Sequence, residues 1–284
     1  MLGSVFRYAA RYPVRAARVL ASDPVGIWDT VLGRLAQARE YRGGPCRYPS
    51  NPDWESQVHS ALGAPWPCVA ALELRILWPE IVARVRAAGV NVGPESFNGF
   101  NDGDAALMRA IWCIARHRKP THVVETGVAH GFTSRFILEA IARNGSGHLS
   151  SIDRPPLDPV KRQRIGIAVE DRSRWTLIAG SSRRQLPRLL RCSGEIGLFV
   201  HDSLHTEQNL RFELDHAWGY LAPGGALVID DIDTNWGFRS FIGDHPGHRT
   251  FVCEAEPVRP DHRRFNGKGL FGIVLKDEAQ ARNG

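Results

Sequence analysis

From His122 onward the chain alternates short runs rich in Val, Ile and Leu with helical stretches, and each run ends in acidic, Gly or Ser residues. The runs are HVVETG, HLSSID, WTLIAG, IGLFVHD and GALVIDD, with helices expected in TSRFILEAIARN, RRQLPRLLR and TEQNLRFELDHAWGYL. This is the alternation of a parallel α/β sheet. Near the end RTFVCEAE and GLFGIVLK supply two more strands, expected as a hairpin across the sheet edge. Ligands of such sheets sit outside the carboxyl ends of the strands, where the sequence places Glu125, Asp153, Asp202, Asp230 and Asp231.

The first 120 residues read differently. They show no convincing β alternation, but helical patterns recur in VGIWDTVLGRLAQAREY, ALELRILWPEIVARVRAAG and ALMRAIWCIARHRK. Between them YRGGPCRYPSNPDWE, GAPWPC and GVNVGPESFNGFNDGD are crowded with breakers and read as loops. The expected division is a helical N-terminal extension and lid over 1–119 and a ligand-binding α/β domain over 120–284. With 43% hydrophobic and 23% charged residues in 284, the chain can bury a sizeable core, which excludes a disordered or fibrous protein.

The net charge of +6 comes mostly from dispersed Arg and defines no nucleic-acid face, so no nucleic-acid partner is expected. Arg7, Arg11, Arg15 and Arg18 interrupt the apolar residues of the N-terminus, which is neither a signal peptide nor a membrane span. It reads either as a solvated helix packing on its own domain or a partner, or as a short basic helix making peripheral contact with an anionic membrane. Self-association into a homo-oligomer is compatible with the sequence and not specified by it. The five cysteines are widely spaced, odd in number and contain no CxxC pair, so they are expected to be reduced and mostly buried in a cytoplasmic protein.

The first of the apolar runs ends VVETGVAHGFTS, where Glu125, Gly127 and Gly131 form ExGxxxG ahead of a helix. Glycine there lets the backbone turn sharply and approach a ligand closely, although an ordinary tight connection uses the same residues. The dinucleotide fingerprint GxGxxG is absent, which removes the main support for NAD. Asp153 ends the next strand, 22 residues beyond Gly131, where an acid can accept from both hydroxyls of a nucleoside ribose.

Four motifs in order, VETGVAHG, SSID, VHDSLH and YLAPGGALVIDDI, resemble the class I S-adenosylmethionine-dependent methyltransferases over about His122 to Lys276. The resemblance implies a Rossmann-like, doubly wound, mostly parallel sheet with S-adenosyl-L-methionine as cofactor. It implies that Gly127 and Gly131 line the methionine part, that Glu125 anchors the same loop and that Asp153 holds the ribose. Gly180, Ser181 and Ser182 fall where the family contacts adenine, without the acid often found there.

Asp202 and His205 form DSLH at the end of one strand, and Asp230 and Asp231 end the next. Crowded carboxylates repel, so a cation is the simplest explanation for three of them. Hard oxygen ligands without cysteine point to Mg²⁺, or to Mn²⁺ or Ca²⁺; helix capping and surface solvation are the alternative. The layout resembles the metal-dependent branch that includes macrolide sugar O-methyltransferases and cephalosporin hydroxylase-like proteins. That resemblance implies Asp202, Asp230 and Asp231 as metal ligands and His205 as general base. A neutral alcohol is a poor nucleophile at neutral pH, and a divalent cation with an imidazole can acidify and accept its proton. A vicinal diol in a sugar, glycolipid or polyketide glycoside is the expected small-molecule acceptor, with Phe97, Phe100, Trp236 and Phe238 as either substrate walls or covering residues. His130, His201 and His216 are expected to pack or cap, and Trp218 and Tyr220 to be core. The alternatives are a catechol-type O-methyltransferase, a non-catalytic or regulatory cofactor-binding relative, and an oxidoreductase, for which no facial iron motif is present.

Overall fold

The computed structural model describes residues 24–40, 44–49, 51–97, 100–156, 162–256 and 269–277. The basic N-terminus lies outside them. Helices α1 (Pro24–Glu40), α2 (Trp54–Leu62) and α3 (Val69–Ala87) precede a short hairpin, β1 (Gly93–Phe97) and β2 (Phe100–Asp102), and helix α4 (Ala105–Arg118). The alternating part follows as β3 (His122–Thr126), α5 (Phe132–Asn144), β4 (His148–Asp153), β5 (Trp175–Ala179), α6 (Ser182–Ser193) and β6 (Ile196–His201). It ends with α7 (Glu207–Tyr220), β7 (Leu221–Ile229), α8 (Gly237–Asp244), β8 (Arg249–Glu254) and β9 (Leu270–Leu275). Among the described residues no helix is long and apolar enough to cross a membrane.

Strand order in the seven-stranded sheet is β5-β4-β3-β6-β7-β9-β8. The first five strands of that order pair in parallel, whereas β9 runs antiparallel to both β7 and β8. The two C-terminal strands thus form the antiparallel edge expected from the sequence. The chain winds outward from β3 through β4 to β5, then returns to begin again at β6. A crevice opens where the winding reverses, between the carboxyl ends of β3 and β6.

Period-two alternation assigns each strand residue to one of two apolar layers. Val123, Leu149, Leu198, Val200, Ala226, Val228 and Ile273 face helices α2 to α5. Val124, Ile152, Phe199, Leu227, Ile229 and Val274 face α6, α7 and α8. The helices start and stop where local chemistry allows: Asp104 Oδ1 accepts from the N–H groups of Ala106 (2.9 Å) and Leu107 (3.2 Å) to open α4, and Thr206 Oγ1 accepts from Asn209 N at 3.2 Å to open α7.

One feature departs from the sequence reading. Residues 93–102, expected as loop, pair as an antiparallel hairpin, and the sequence signal is the Asn98-Gly99 dipeptide between the strands. The N-terminal helices also share one apolar cluster with the sheet, with the expected boundary near residue 120 falling between α4 and β3. The Trp54 ring of α2 meets Phe271 of β9 edge-on at 5.2 Å between centroids, and both are buried. Trp54→Ala is expected to cost roughly 3–5 kcal/mol, read by urea denaturation. Because the core is continuous, the loss should appear in one cooperative transition; an N-terminal unfolding step preceding loss of the sheet would contradict this.

Candidate active site

Strand register lines up the carboxyl ends. Thr126 of β3 lies beside His201 of β6, which lies beside Ile229 of β7, so Gly127, Asp202 and Asp230 follow one another along the same edge. Asp202 N donates to Thr126 O at 2.8 Å and Asp230 N to His201 O at 2.9 Å. Gly127 has φ +87°, and a Cβ there would collide with the Asp202 carbonyl. At Gly131, φ is +85° and a Cβ would come within 2.8 Å of Gly166 Cα. Both glycines are therefore required by protein packing as well as by the turn. Positive φ is disfavoured for residues with a Cβ, yet Ala129 (48°) in the same loop and Asp231 (50°) also adopt it.

The loop is held from below by two acids. Asp153 Oδ2 accepts from Val128 N (2.7 Å) and Ala129 N (2.8 Å). Glu125 is fully buried, and its Oε2 accepts from the hydroxyls of Ser134 and Ser151, each at 2.6 Å. Burial pushes the Glu125 carboxyl up to about 8 and Asp153 up to about 6, outweighing those hydrogen bonds. Repulsion from Asp202 raises both further.

A second buried carboxylate fixes the turn that carries Asp202 and His205. Glu213 on α7 accepts from Thr126 Oγ1 (2.5 Å), His201 Nδ1 (2.6 Å), Ser203 Oγ (2.7 Å) and Asn209 Nδ2 (2.8 Å). Asn209 Nδ2 also donates to Leu204 O at 3.2 Å. Burial opposes ionisation of Glu213, but the His201 charge and hydrogen bonds from His201, Ser182 and Thr126 prevail and hold it near 2. His201 is thereby a packing and pairing residue, with its ring edge-on to His205 at 5.5 Å.

Above this network Asp202, His205 and Asp230 each offer a ligand atom within 4.8 Å of one another. His205 Nε2 lies 3.5 Å from Asp202 Oδ1 and 3.9 Å from Asp231 Oδ2. The tight set thus includes the imidazole, with Asp231 at its margin. Asp230 is held well above the ordinary carboxylate range by burial and then by repulsion from Asp231, Asp202 and Asp104. Asp104, the cap of α4, is itself pushed up to about 6 by burial.

The remaining expected site residues are distributed more widely. Gly180 N donates to Asp153 O at 2.8 Å, which puts the AGSS turn beside the loop. The Ser181 hydroxyl donates to Asp29 of α1 at 2.6 Å, and Ser182 is buried 3.5 Å from Asn209 Oδ1. Asp29 also lies 3.1 Å from Arg184 Nε. Phe238 is core, not a substrate wall, whereas Trp236 is 44% exposed; the side chains of Phe97 and Phe100 lie outside the described residues. His130 is buried inside the loop, His216 Nδ1 donates to Phe212 O at 2.8 Å, and Trp218 and Tyr220 pack against the second apolar layer. Segment 44–49 rests on the loop after β7, with Cys46 N donating to Asp233 O at 2.9 Å and Arg239 Nη2 to Arg47 O at 2.6 Å. Asp29 and Glu213 escaped the sequence reading because each acts across a long stretch of chain with no motif to mark it, as did the repulsion of Asp104 on Asp230.

Residues 124–232 match a family described as a methyltransferase domain. Among the solved structures that share the fold, three illustrate the likeness. A putative O-methyltransferase from Klebsiella pneumoniae is 18% identical with a TM-score of 0.51, covering 78% of this chain and 97% of its own. The O-methyltransferase TomG from Streptomyces achromogenes, involved in tomaymycin synthesis and in complex with SAM, is 14% identical with a TM-score of 0.50, covering 70% and 88%. An O-methyltransferase from Bacillus cereus in complex with SAH is 13% identical with a TM-score of 0.50, covering 78% and 98%. No curated protein matches the chain.

The geometry carries two expectations. Gly127→Ala is expected to lose about 3 kcal/mol or more in urea denaturation, since backbone must move. Gly145→Ala, with open space around its Cβ and φ +77°, should lose only about 1–2 kcal/mol; equal losses would contradict the close approach to Asp202. The raised Glu125 carboxyl binds its proton in the folded state between its ordinary 4.5 and about 8. Its contribution to stability is therefore present below about 4.5 and is lost as pH rises through about 8. Glu125→Gln should flatten the decline in unfolding free energy across that window, and a parallel decline in the variant would show that Glu125 is not its source.

Proposed function

We propose that the chain is an S-adenosylmethionine-dependent methyltransferase, and that it methylates a hydroxyl oxygen of a small molecule with the help of a divalent cation, Mg²⁺ by preference. The acceptor we propose is a vicinal diol in a sugar, glycolipid or polyketide-type glycoside. The observation that carries the reading is the contact between the glycine loop and the acid turn. Gly127 abuts the Asp202 carbonyl, so a donor held by the loop and an acceptor held by the acids and His205 share one wall of the crevice.

The residues fit both groups. Beside the loop, Asp153 uses Oδ2 for the backbone and has Oδ1 to offer a ribose hydroxyl. Glu125 keeps a buried oxygen, Oε1, with no hydrogen-bond partner among the described residues, suited to a polar group of the donor. Asp202, Asp230 and Asp231 form a cluster whose mutual repulsion a hard cation relieves. When bound, S-adenosylmethionine supplies an electrophilic methyl group whose bond to sulfur breaks with the electron pair remaining on sulfur, and Mg²⁺ supplies acidification of a coordinated hydroxyl.

The chain's own residues do the rest. His205 Nε2 faces the cluster and accepts the hydroxyl proton as the oxygen gains its methyl group. Asp202, 3.5 Å away, stabilises the resulting imidazolium. Glu213 positions both by bonding Ser203 and by fixing Asn209, which holds the Leu204 carbonyl. Helix α1, through Asp29, and segment 44–49 dock beside the crevice, on the AGSS turn and on the loop after β7.

Methyl transfer to a panel of glycosides with and without adjacent hydroxyls, with Mg²⁺ present or chelated, tests the reading. The expected result is turnover confined to vicinal diols, abolished by chelation and restored by Mg²⁺. Asp230→Asn with Asp231→Asn should lose metal stimulation while retaining cofactor binding. His205→Ala should lower kcat by roughly 100-fold or more and remove the acidic limb of the pH profile, where protonation of an imidazole silences the base. Metal-independent turnover would overturn the cation, and an unchanged pH profile would retire His205 as base.

A further inference from the structure

Away from the crevice, two cysteines and a histidine from three helices meet in the layer between the N-terminal helices and the sheet, with the exposed His117 at its edge. His59, in the last turn of α2, is 2% exposed. Its Nδ1 lies 2.7 Å from Glu55 O; a carbonyl only accepts, so Nδ1 carries the proton and Nε2 presents its lone pair. That Nε2 is buried and has no hydrogen-bond partner among the described residues. Cys68, the N-cap of α3, is 2% exposed, and its Sγ accepts from Ala71 N at 3.3 Å. Cys113, in the middle of α4, is fully buried with its Sγ 3.7 Å from Cys68 Sγ. One ligand atom from each of these residues lies within 4.8 Å of the others. His117, one helical turn beyond Cys113 on the same face of α4, sets its ring edge-on to His59 at 5.9 Å.

As plain packing this leaves the His59 Nε2 lone pair with no donor stronger than the neighbouring Cys68 thiol, which is a weak one. The arrangement has the dimensions of a metal centre. Two thiolates on one tetrahedral zinc, each at roughly 2.3 Å, stand roughly 3.8 Å apart, against the 3.7 Å observed. The Nδ1–H bond from His59 to a backbone carbonyl is the outer contact that orients a metal-bound imidazole. Thiolate and imidazole donors select zinc over magnesium, which separates the cluster chemically from the carboxylates of the crevice.

We propose that His59, Cys68 and Cys113, completed by His117, form a structural zinc site that pins α2 and α3 to α4. The ligands come from segments 45 residues apart at Cys68 and Cys113, without the paired CxxC spacing that marks zinc sites in sequence. The site owes nothing to the proposed methyl transfer and stands or falls without it.

Full-length protein, purified in reductant without chelator and freed of any affinity tag, should carry about one equivalent of zinc. Cobalt exchanged into it should give the strong visible bands of a tetrahedral ion and thiolate-to-metal charge transfer in the near ultraviolet. Cys68→Ser with Cys113→Ser should remove both signals, and Asp230→Asn should leave both. Stripping the wild type with a chelator should open Cys68 and Cys113 to thiol reagents and lower the thermal midpoint, with zinc restoring both. A reduced wild type that takes up neither zinc nor cobalt overturns the site. So does a cobalt spectrum without thiolate charge transfer. Both of these readouts use the unaltered chain and remain decisive even if the serine variants fail to fold.

Discussion

The Glu213 carboxylate is the interaction on which the crevice depends. It is buried without exposure to water and takes hydrogen bonds from Thr126, His201, Ser203 and Asn209. A buried charge is tolerable only when its oxygens are fully bonded, and here the bonds come from the ends of β3 and β6, from the turn that follows β6 and from α7 itself. One side chain therefore ties the two strands that flank the switch point to the helix behind them. The turn bearing Asp202 and His205 inherits its position from this anchor, as does the close approach of the Asp202 backbone to Gly127.

Upon that rigid floor the structure gathers charges that repel one another. Asp202 raises the carboxyls of Glu125, Asp153 and Asp230, which places it electrostatically between the glycine loop and the acid pair. Asp104 adds to the pressure on Asp230 from the cap of α4. Ala129 and Asp231 hold left-handed backbone on either side of the same crevice. Repulsion and strain concentrated at one strand edge lower stability, and a cation and a bound ligand relieve them.

Much of this fold was legible in the sequence because its signals are local. Each Val/Ile/Leu run became a strand, the two C-terminal runs became the antiparallel edge, and the acids at strand ends came together because parallel neighbours bring equivalent positions side by side. Gly127 and Gly131 were found for a partly different reason: the atoms that exclude a Cβ there belong to Asp202 and Gly166. What the sequence did not reveal depends on contacts between distant segments. Asp29 reaches Ser181 across 152 residues, Glu213 reaches Thr126 across 87, and Cys68 meets Cys113 with no spacing motif to announce it. Phe238 sits in a loop-to-helix segment that reads either as a substrate wall or as a covering residue, and its ring, filling the space above Gly272 in the core, decides for the second.

The central claim is that the loop from Glu125 to Gly131, with Asp153 beneath it, holds the adenosyl donor. Calorimetric titration of S-adenosylhomocysteine into the wild type and Asp153→Ala, with NAD as control, addresses it most directly. The predicted result is saturable binding to the wild type, no binding of NAD and an affinity at least about tenfold weaker in the variant, corresponding to loss of a charge-assisted hydrogen bond. A folded wild type that binds NAD in place of S-adenosylhomocysteine, or neither of them with or without Mg²⁺, would contradict it.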